Sequence, residues 1–170
     1  MEIKIQTDAF HDVHSCFSVI EVMGRRAGFI ALWSGIAGSA RAIFADSNTT
    51  AEQIVAHLRK YHFTSGTIVL AEGAGKAEPM AEIIERELHV HTRANVLAFI
   101  QRGGNPTAKD RVYGSMMGAY AVDLIKEGKN LHLVCIKHDE LCGVEISEGM
   151  IQTKECSEYL AHLGQTLSCI

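Results

Sequence analysis

The chain has 170 residues, a formal net charge of −4, 47% hydrophobic residues and 21% charged residues. That length carries one domain with a hydrophobic core, and the composition excludes a disordered chain. The acidic balance excludes a broad nucleic-acid surface, although two or three focused arginines can still bind a small anion.

Residues 1–10 include Glu2, Lys4 and Asp8 and hold no apolar run, so no signal peptide is expected. The longest apolar segment, 28–38, is too short to span a bilayer. Five cysteines (Cys16, Cys135, Cys142, Cys156, Cys169) show no C-x-x-C spacing, which fits reduced thiols and a cytoplasmic location.

Residues 17–23 (FSVIEVM) read as a buried strand. Gly24 turns the chain into a helix predicted over 25–36, with Phe29, Ile30, Leu32, Trp33 and Ile36 on a broad buried face. Residues 40–44 suit a short strand. Ser47, Asn48 and Thr49 are candidate caps for a helix reaching Tyr61. Residues 66–72 (GTIVLAE) form the clearest buried strand; 73–76 read as a loop and 79–88 as a helix.

A strand is predicted over 92–100, a Gly-Gly-Asn-Pro loop over 103–106, and a long helix over 108–126 with Val112, Met116, Tyr120 and Leu124 as its core stripe. Strands over 131–136 and 141–146 and a last helix over 155–163 complete the chain. Alternating strands and helices predict a three-layer, Rossmann-like α/β fold with a mostly parallel sheet and helices on both faces. Residues 1–16 read as a lead-in and 17–170 as one domain.

Ligands of such folds sit at the carboxyl ends of the strands. Met23-Gly24-Arg25 is the first candidate, where a glycine opens the backbone to a ligand and Arg25 and Arg26 add charge. A tight turn with two solvated arginines is the plainer reading. Glu72, ending a strand, is placed to accept hydrogen bonds from sugar hydroxyls, or else is a loop carboxylate in solvent. Gly73-Ala74-Gly75-Lys76 is not a phosphate loop, because the first glycine is missing and Ala77 stands where Ser or Thr is needed. Arg93 and Arg102 are further candidates, and Gly103 and Gly104 keep the approach to Arg102 clear. His89 and His91 have no third partner for a metal and read as solvated. Cys16 and Cys135 read as core fillers, and Met116 and Met117 as helix core.

These places resemble one family in order and spacing. Residues 19–25 (VIEVMGR), Gly28 and 35–38 (GIAG), Ala71-Glu72, 92–97 (TRANVL), 100–104 (IQRGG), Pro106, Asp110-Arg111 and 117–124 (MGAYAVDL) are similar to bacterial-type 6-phosphofructokinases, over about 17–146. The resemblance implies the carboxyl-terminal, sugar-phosphate-binding half of an enzyme that moves the γ-phosphoryl group of ATP to the 1-hydroxyl of fructose 6-phosphate. It implies that Met23, Gly24 and Arg25 contact the sugar phosphate, Glu72 the sugar hydroxyls, and Arg102 the 6-phosphate. Arg93 is implied to reach the sugar phosphate of a neighbouring subunit, hence a homo-oligomer.

Three single positions and one short run depart from the family pattern. Phe99 replaces the usual histidine before IQRGG, and Cys16 replaces an arginine that reaches across the interface. Each lost charge-assisted bond to a phosphate costs about 1.5–3 kcal/mol. Arg41 stands where an acidic effector-site residue is usual, and 61–64 (YHFT) replace a basic run. No counterpart of the glycine-rich ATP loop or the Thr-Ile-Asp-Asn-Asp segment with its catalytic base is found. The expectation is therefore a sugar-phosphate half with no catalytic residue, metal or cofactor of its own. ATP and Mg belong to the complete enzyme, and turnover needs a nucleotide-binding half. The alternative is a non-catalytic sugar-phosphate-binding, regulatory or assembly module. No nucleic-acid or membrane partner is expected.

Overall fold

A computed structural model describes residues 15–25, 27–45, 50–151 and 157–168. The chain divides into two compact units, Met1–Arg102 with Glu155–Ile170, and Gly103–Lys154.

The first unit is built on a four-stranded, wholly parallel sheet. Its strands are β1 (Cys16–Val22), β2 (Ala42–Phe44), β3 (Gly66–Ala71) and β4 (His91–Val96), in the order β2-β3-β1-β4. All seven residues of β1 are buried, as a central strand covered on both faces requires. Its pleat divides them: Phe17 and Val19 join Ile68 and Leu70 of β3 on one face, and Ile20 and Val22 join Val69 and Ala71 on the other. Helices α2 (Ala51–Lys60) and α3 (Ala77–Leu88) fill the first face with Ile54, Leu58, Ala81 and Ile84. On the second face lie α1 (Phe29–Ala37) and α6 (Glu158–Leu167), whose Gly164 fits against Leu32 and Ile43. The three-layer α/β architecture with a mostly parallel sheet is therefore present.

Several local expectations change. The first helix starts at Phe29, not Arg25, because Arg25 (φ 49) and Gly28 (φ 65) both take left-handed backbone that no α-helix contains. Its face is narrower than expected: Ala31, Leu32 and Gly35 are buried, whereas Trp33 is 64% exposed and Ile30 lies outside too. Ser47, Asn48 and Thr49 lie outside the described residues; Thr50 caps α2 through a reciprocal box with Gln53. The strand expected to reach Ile100 stops at Val96. Leu97 makes the last bond to β1, Ala98 turns left-handed at φ 42, and a 3₁₀ turn follows over Ala98–Arg102. The last helix begins at Glu158 rather than 155, and 152–156 lie outside the described residues.

The second unit holds α4 (Ala108–Lys126), β5 (His132–Lys137), β6 (Glu140–Glu145) and the short α5 (Ile146–Gly149). Strands β5 and β6 form a separate antiparallel hairpin instead of extending the parallel sheet. Helix α4 has the predicted limits, with Thr107 and Asp110 forming its capping box. Its core stripe does not hold: Leu124 is buried, but Val112 and Met116 are exposed and Met117 and Tyr120 are half-buried. The two-stranded hairpin meets the helix near its carboxyl end, where Leu124 packs over Gly143.

Candidate functional site

Because β1, β3 and β4 are parallel, their carboxyl ends share one edge of the sheet. Past β1, Gly24 sits at φ 129, a conformation available to glycine, and Arg25 at φ 49. A hydrogen bond from Ala27 N to the Gly24 carbonyl (3.0 Å) closes this turn. Glu72 follows β3 directly, its own amide bound to the Val22 carbonyl at 2.9 Å. Its Oε1 accepts the Arg25 amide at 2.9 Å and the Gly24 amide at 3.2 Å. The Met23 amide donates to Gln101 Oε1 on the 3₁₀ turn at 2.8 Å. Three successive amides thus point at acceptors from two other elements.

This is a backbone nest suited to an oxyanion, and the chain fills it with its own carboxylate. The Gly24 and Arg25 amides are held by Glu72 and the Met23 amide by Gln101, where the resemblance implied contacts to a sugar phosphate. The Arg25 and then the Gly24 amide bonds hold the Glu72 carboxyl below its ordinary range, with Lys76 and Arg25 charges adding to the effect.

Met23, Gly24, Arg25 and Glu72 therefore come together. Arg102 lies beside Gln101 on the 3₁₀ turn, exposed, with its guanidinium 5.8 Å from the centre of the Phe99 ring. Arg93 is elsewhere. Its register partner is Ser18, four residues before Val22, so it sits about 13 Å down the sheet at about 3.3 Å per residue. There its Nε donates to His91 Nε2 at 3.4 Å, and His91 Nδ1 lies 3.5 Å from Glu85 Oε1. His89 closes α3 in left-handed backbone at φ 54. Arg26 lies outside the described residues.

The altered family positions are also placed. Cys16 is buried at the start of β1. Phe99 is 76% exposed beside Arg102. The Arg41 guanidinium lies over the Phe63 ring at 4.6 Å, and Tyr61 stacks on Phe63 at 6.0 Å. That cluster is aromatic where the resemblance implied a basic run.

Sequence reasoning missed three residues that support this edge. Gln101 was legible only as part of the IQRGG run. Glu21 is a nearly inaccessible carboxylate (4% exposed) in β1, bound by Lys76 Nζ at 2.7 Å and by the Ala77 amide at 3.0 Å. The signal was present: a carboxylate in an apolar strand needs a partner. Lys76, set aside with the failed phosphate loop, is that partner. Ala77 N is the first amide of α3, so Glu21 also explains why that helix starts two residues earlier than predicted.

The family model for phosphofructokinase matches residues 3–125. Among curated proteins, the chain is 42% identical over 159 residues to an ATP-dependent 6-phosphofructokinase of Bacillus licheniformis, covering 91% of this chain and 50% of that protein. It is 42% identical over 149 residues to the Bacillus subtilis protein of the same name, covering 85% and 46%. The chain thus spans about half the length of the curated relatives it matches, their carboxyl-terminal half. Among solved structures, Saccharomyces cerevisiae phosphofructokinase matches with a TM-score of 0.77 and Pichia pastoris phosphofructokinase in the T-state with 0.72. Both cover 98% of this chain, 26% and 20% of theirs, at 20% and 24% identity, and so speak to the fold. With that fold, the ordered motifs at the strand ends and the family match over most of its length, the chain belongs to the phosphofructokinase family.

Proposed function

We propose that this chain binds fructose 6-phosphate at the carboxyl edge of its parallel sheet, as the sugar-phosphate-binding half of a 6-phosphofructokinase. The observation that carries this reading is the turn Met23-Gly24-Arg25, held by Glu72 on one side and Gln101 on the other. Glu72 uses Oε1 for both amides, which leaves Oε2 to accept a sugar hydroxyl. Arg25 and Arg102 supply exposed cations for the phosphate. Arg93, remote from that edge, serves a site of a neighbouring copy in a homo-oligomer. Among the described residues no His, Cys, Asp or Glu side chains gather as a metal set. In this reading Mg and ATP are held by a nucleotide-binding half that also supplies the catalytic base. A cytoplasmic location accompanies the glycolytic role; no described helix is long and apolar enough to cross a membrane.

Calorimetric titration with fructose 6-phosphate, followed by a coupled assay with ATP and Mg, tests this. Binding is expected without turnover, and turnover only after a nucleotide-binding half is added. Failure to bind the sugar phosphate overturns the proposal; turnover by the chain alone overturns the need for a second half.

A second reading is favoured by Phe99. Its exposed ring lies beside the Arg102 guanidinium and offers no hydrogen bond where family members carry histidine. A sugar-phosphate-binding module that regulates or assembles without catalysis fits that change. Binding that persists while the added nucleotide half stays inactive distinguishes it.

A further inference from the structure

The hairpin of the second unit contains a pair of thiols that the sugar-phosphate reading does not use. Its turn residues, His138 (φ 50) and Asp139 (φ 65), both take positive φ, the signature of a two-residue type I′ turn. Such a turn fixes the ladder: Lys137 faces Glu140, Ile136 faces Leu141, and Cys135 faces Cys142. Directly opposed residues project from the same face of the hairpin. Both cysteines are free and partly accessible. Cys16 is buried in the parallel sheet of the other unit.

We propose that Cys135 and Cys142 are a redox-active dithiol, closing to a cross-strand disulfide in exchange with a small-molecule disulfide. Counting outward from the turn, pairs alternate between hydrogen-bonded and non-hydrogen-bonded, and the cysteines occupy a hydrogen-bonded position. The Cα atoms of such a pair lie about 5.5 Å apart, inside the roughly 4.4–6.8 Å span of disulfides. Their Cβ atoms, at about 4.5–5.5 Å, exceed the usual separation of about 3.5–4.5 Å. Closure therefore requires the strands to pinch together. The bond forms with strain, and strained exposed disulfides are the labile, readily reduced ones.

The chemistry balances as thiol–disulfide exchange. One cysteine thiolate attacks a sulfur of the reagent RSSR, forming a mixed disulfide and releasing RS⁻. The second thiolate attacks the protein-side sulfur and releases another RS⁻. The protein loses two electrons and two protons, and the reagent becomes two RSH.

The test incubates the full chain with oxidised glutathione, quenches with an alkylating agent, and maps every cysteine by non-reducing peptide mass spectrometry. The expected product is one internal link between Cys135 and Cys142, protected from alkylation and reopened by modest amounts of reduced glutathione. In C142S, Cys135 is expected to stop at a glutathione adduct. Thermal melts of both chains check that this variant is folded, and the wild-type mapping stands without it. If both cysteines remain alkylatable, carry separate glutathione groups, or link to other cysteines instead, the proposal fails. A link that resists excess reduced glutathione overturns its assignment as a labile redox pair.

Discussion

Lys76 Nζ lies 2.7 Å from Glu21 Oε1, joining an exposed side chain to a carboxylate sealed inside β1. The same carboxylate takes the Ala77 amide at 3.0 Å, so one side chain fixes the start of α3 against the carboxyl end of β1. The loop that carries Glu72 leads straight into this pair. E21A leaves the buried first amide of α3 without its acceptor and is expected to destabilise the chain by about 2 kcal/mol. E21Q, which keeps a carbonyl oxygen, is expected to cost less. Denaturant titration of both variants checks this; equal losses would mean that side-chain packing, rather than the hydrogen bonds, matters there.

The pair also predicts an alkaline limb. Its hydrogen bond to Glu21, and then the Glu21 charge, raise the Lys76 ammonium above its ordinary range. A raised folded-state value means that the contribution is fully present below the unfolded lysine value of about 10.4. It is lost as pH climbs through the raised folded value. Melting temperatures of wild type and K76M should therefore converge on the alkaline side and separate towards neutrality. A constant gap across that range would exclude the ion pair as the source.

Glu72 behaves with the opposite sign. Its carboxyl is held low by the Arg25 and Gly24 amides, so its grip on the turn is complete above the unfolded glutamate value of about 4.3. The grip weakens only as pH falls through the depressed folded value. The amide resonances of Gly24 and Arg25 should titrate together there, and E72Q should abolish that titration. E72A is expected to weaken fructose 6-phosphate binding about tenfold or more, since it removes both the proposed sugar-hydroxyl acceptor and the support of the turn. Unchanged affinity in E72A would remove Glu72 from the site.

What the sequence disclosed and what it hid follow from how each residue is satisfied. Strands β1 and β3 were legible because burial on both faces demands a continuous apolar run, and the glycine at 24 because the turn needs positive φ. The end of β4 was not. Residues 97–100 are as apolar as a strand, but only Leu97 is buried, and the left-handed Ala98 sends Phe99 and Ile100 outward. Periodicity gave α4 its limits but misjudged its stripe, since a helix face is buried only where something stands opposite it. Lys76 escaped notice because its partner is 55 residues away in sequence, and no local motif joins them.

Gly28 offers a backbone test of the same edge. It holds the entry to α1 at φ 65, and a Cβ there would collide with the Ala45 carbonyl oxygen and Cβ. G28A combines left-handed strain with a steric clash and is expected to cost about 2–4 kcal/mol. G114A, at a helical position with open space around it, serves as the control and should be neutral or slightly stabilising. A tolerated G28A would mean that the turn after β1 can be rebuilt, and with it the geometry that presents Arg25.

The exposed Phe99 allows a gain-of-binding test. Phe99 is 76% exposed and its ring lies near the Arg102 guanidinium. F99H replaces an apolar ring with a donor that can reach a phosphate placed against Arg102, and it removes a solvent-facing apolar surface at little structural cost. A new hydrogen bond to a charged group contributes about 1.5–3 kcal/mol when well formed, so fructose 6-phosphate affinity should rise about tenfold or more. R102A should lower it by a similar factor, and the double variant F99H/R102A should fall short of the sum if both residues grip one phosphate. Fructose, lacking the phosphate, supplies the control: neither substitution should change its binding. Additive effects in the double variant, or equal effects on fructose, would place the phosphate away from the 3₁₀ turn.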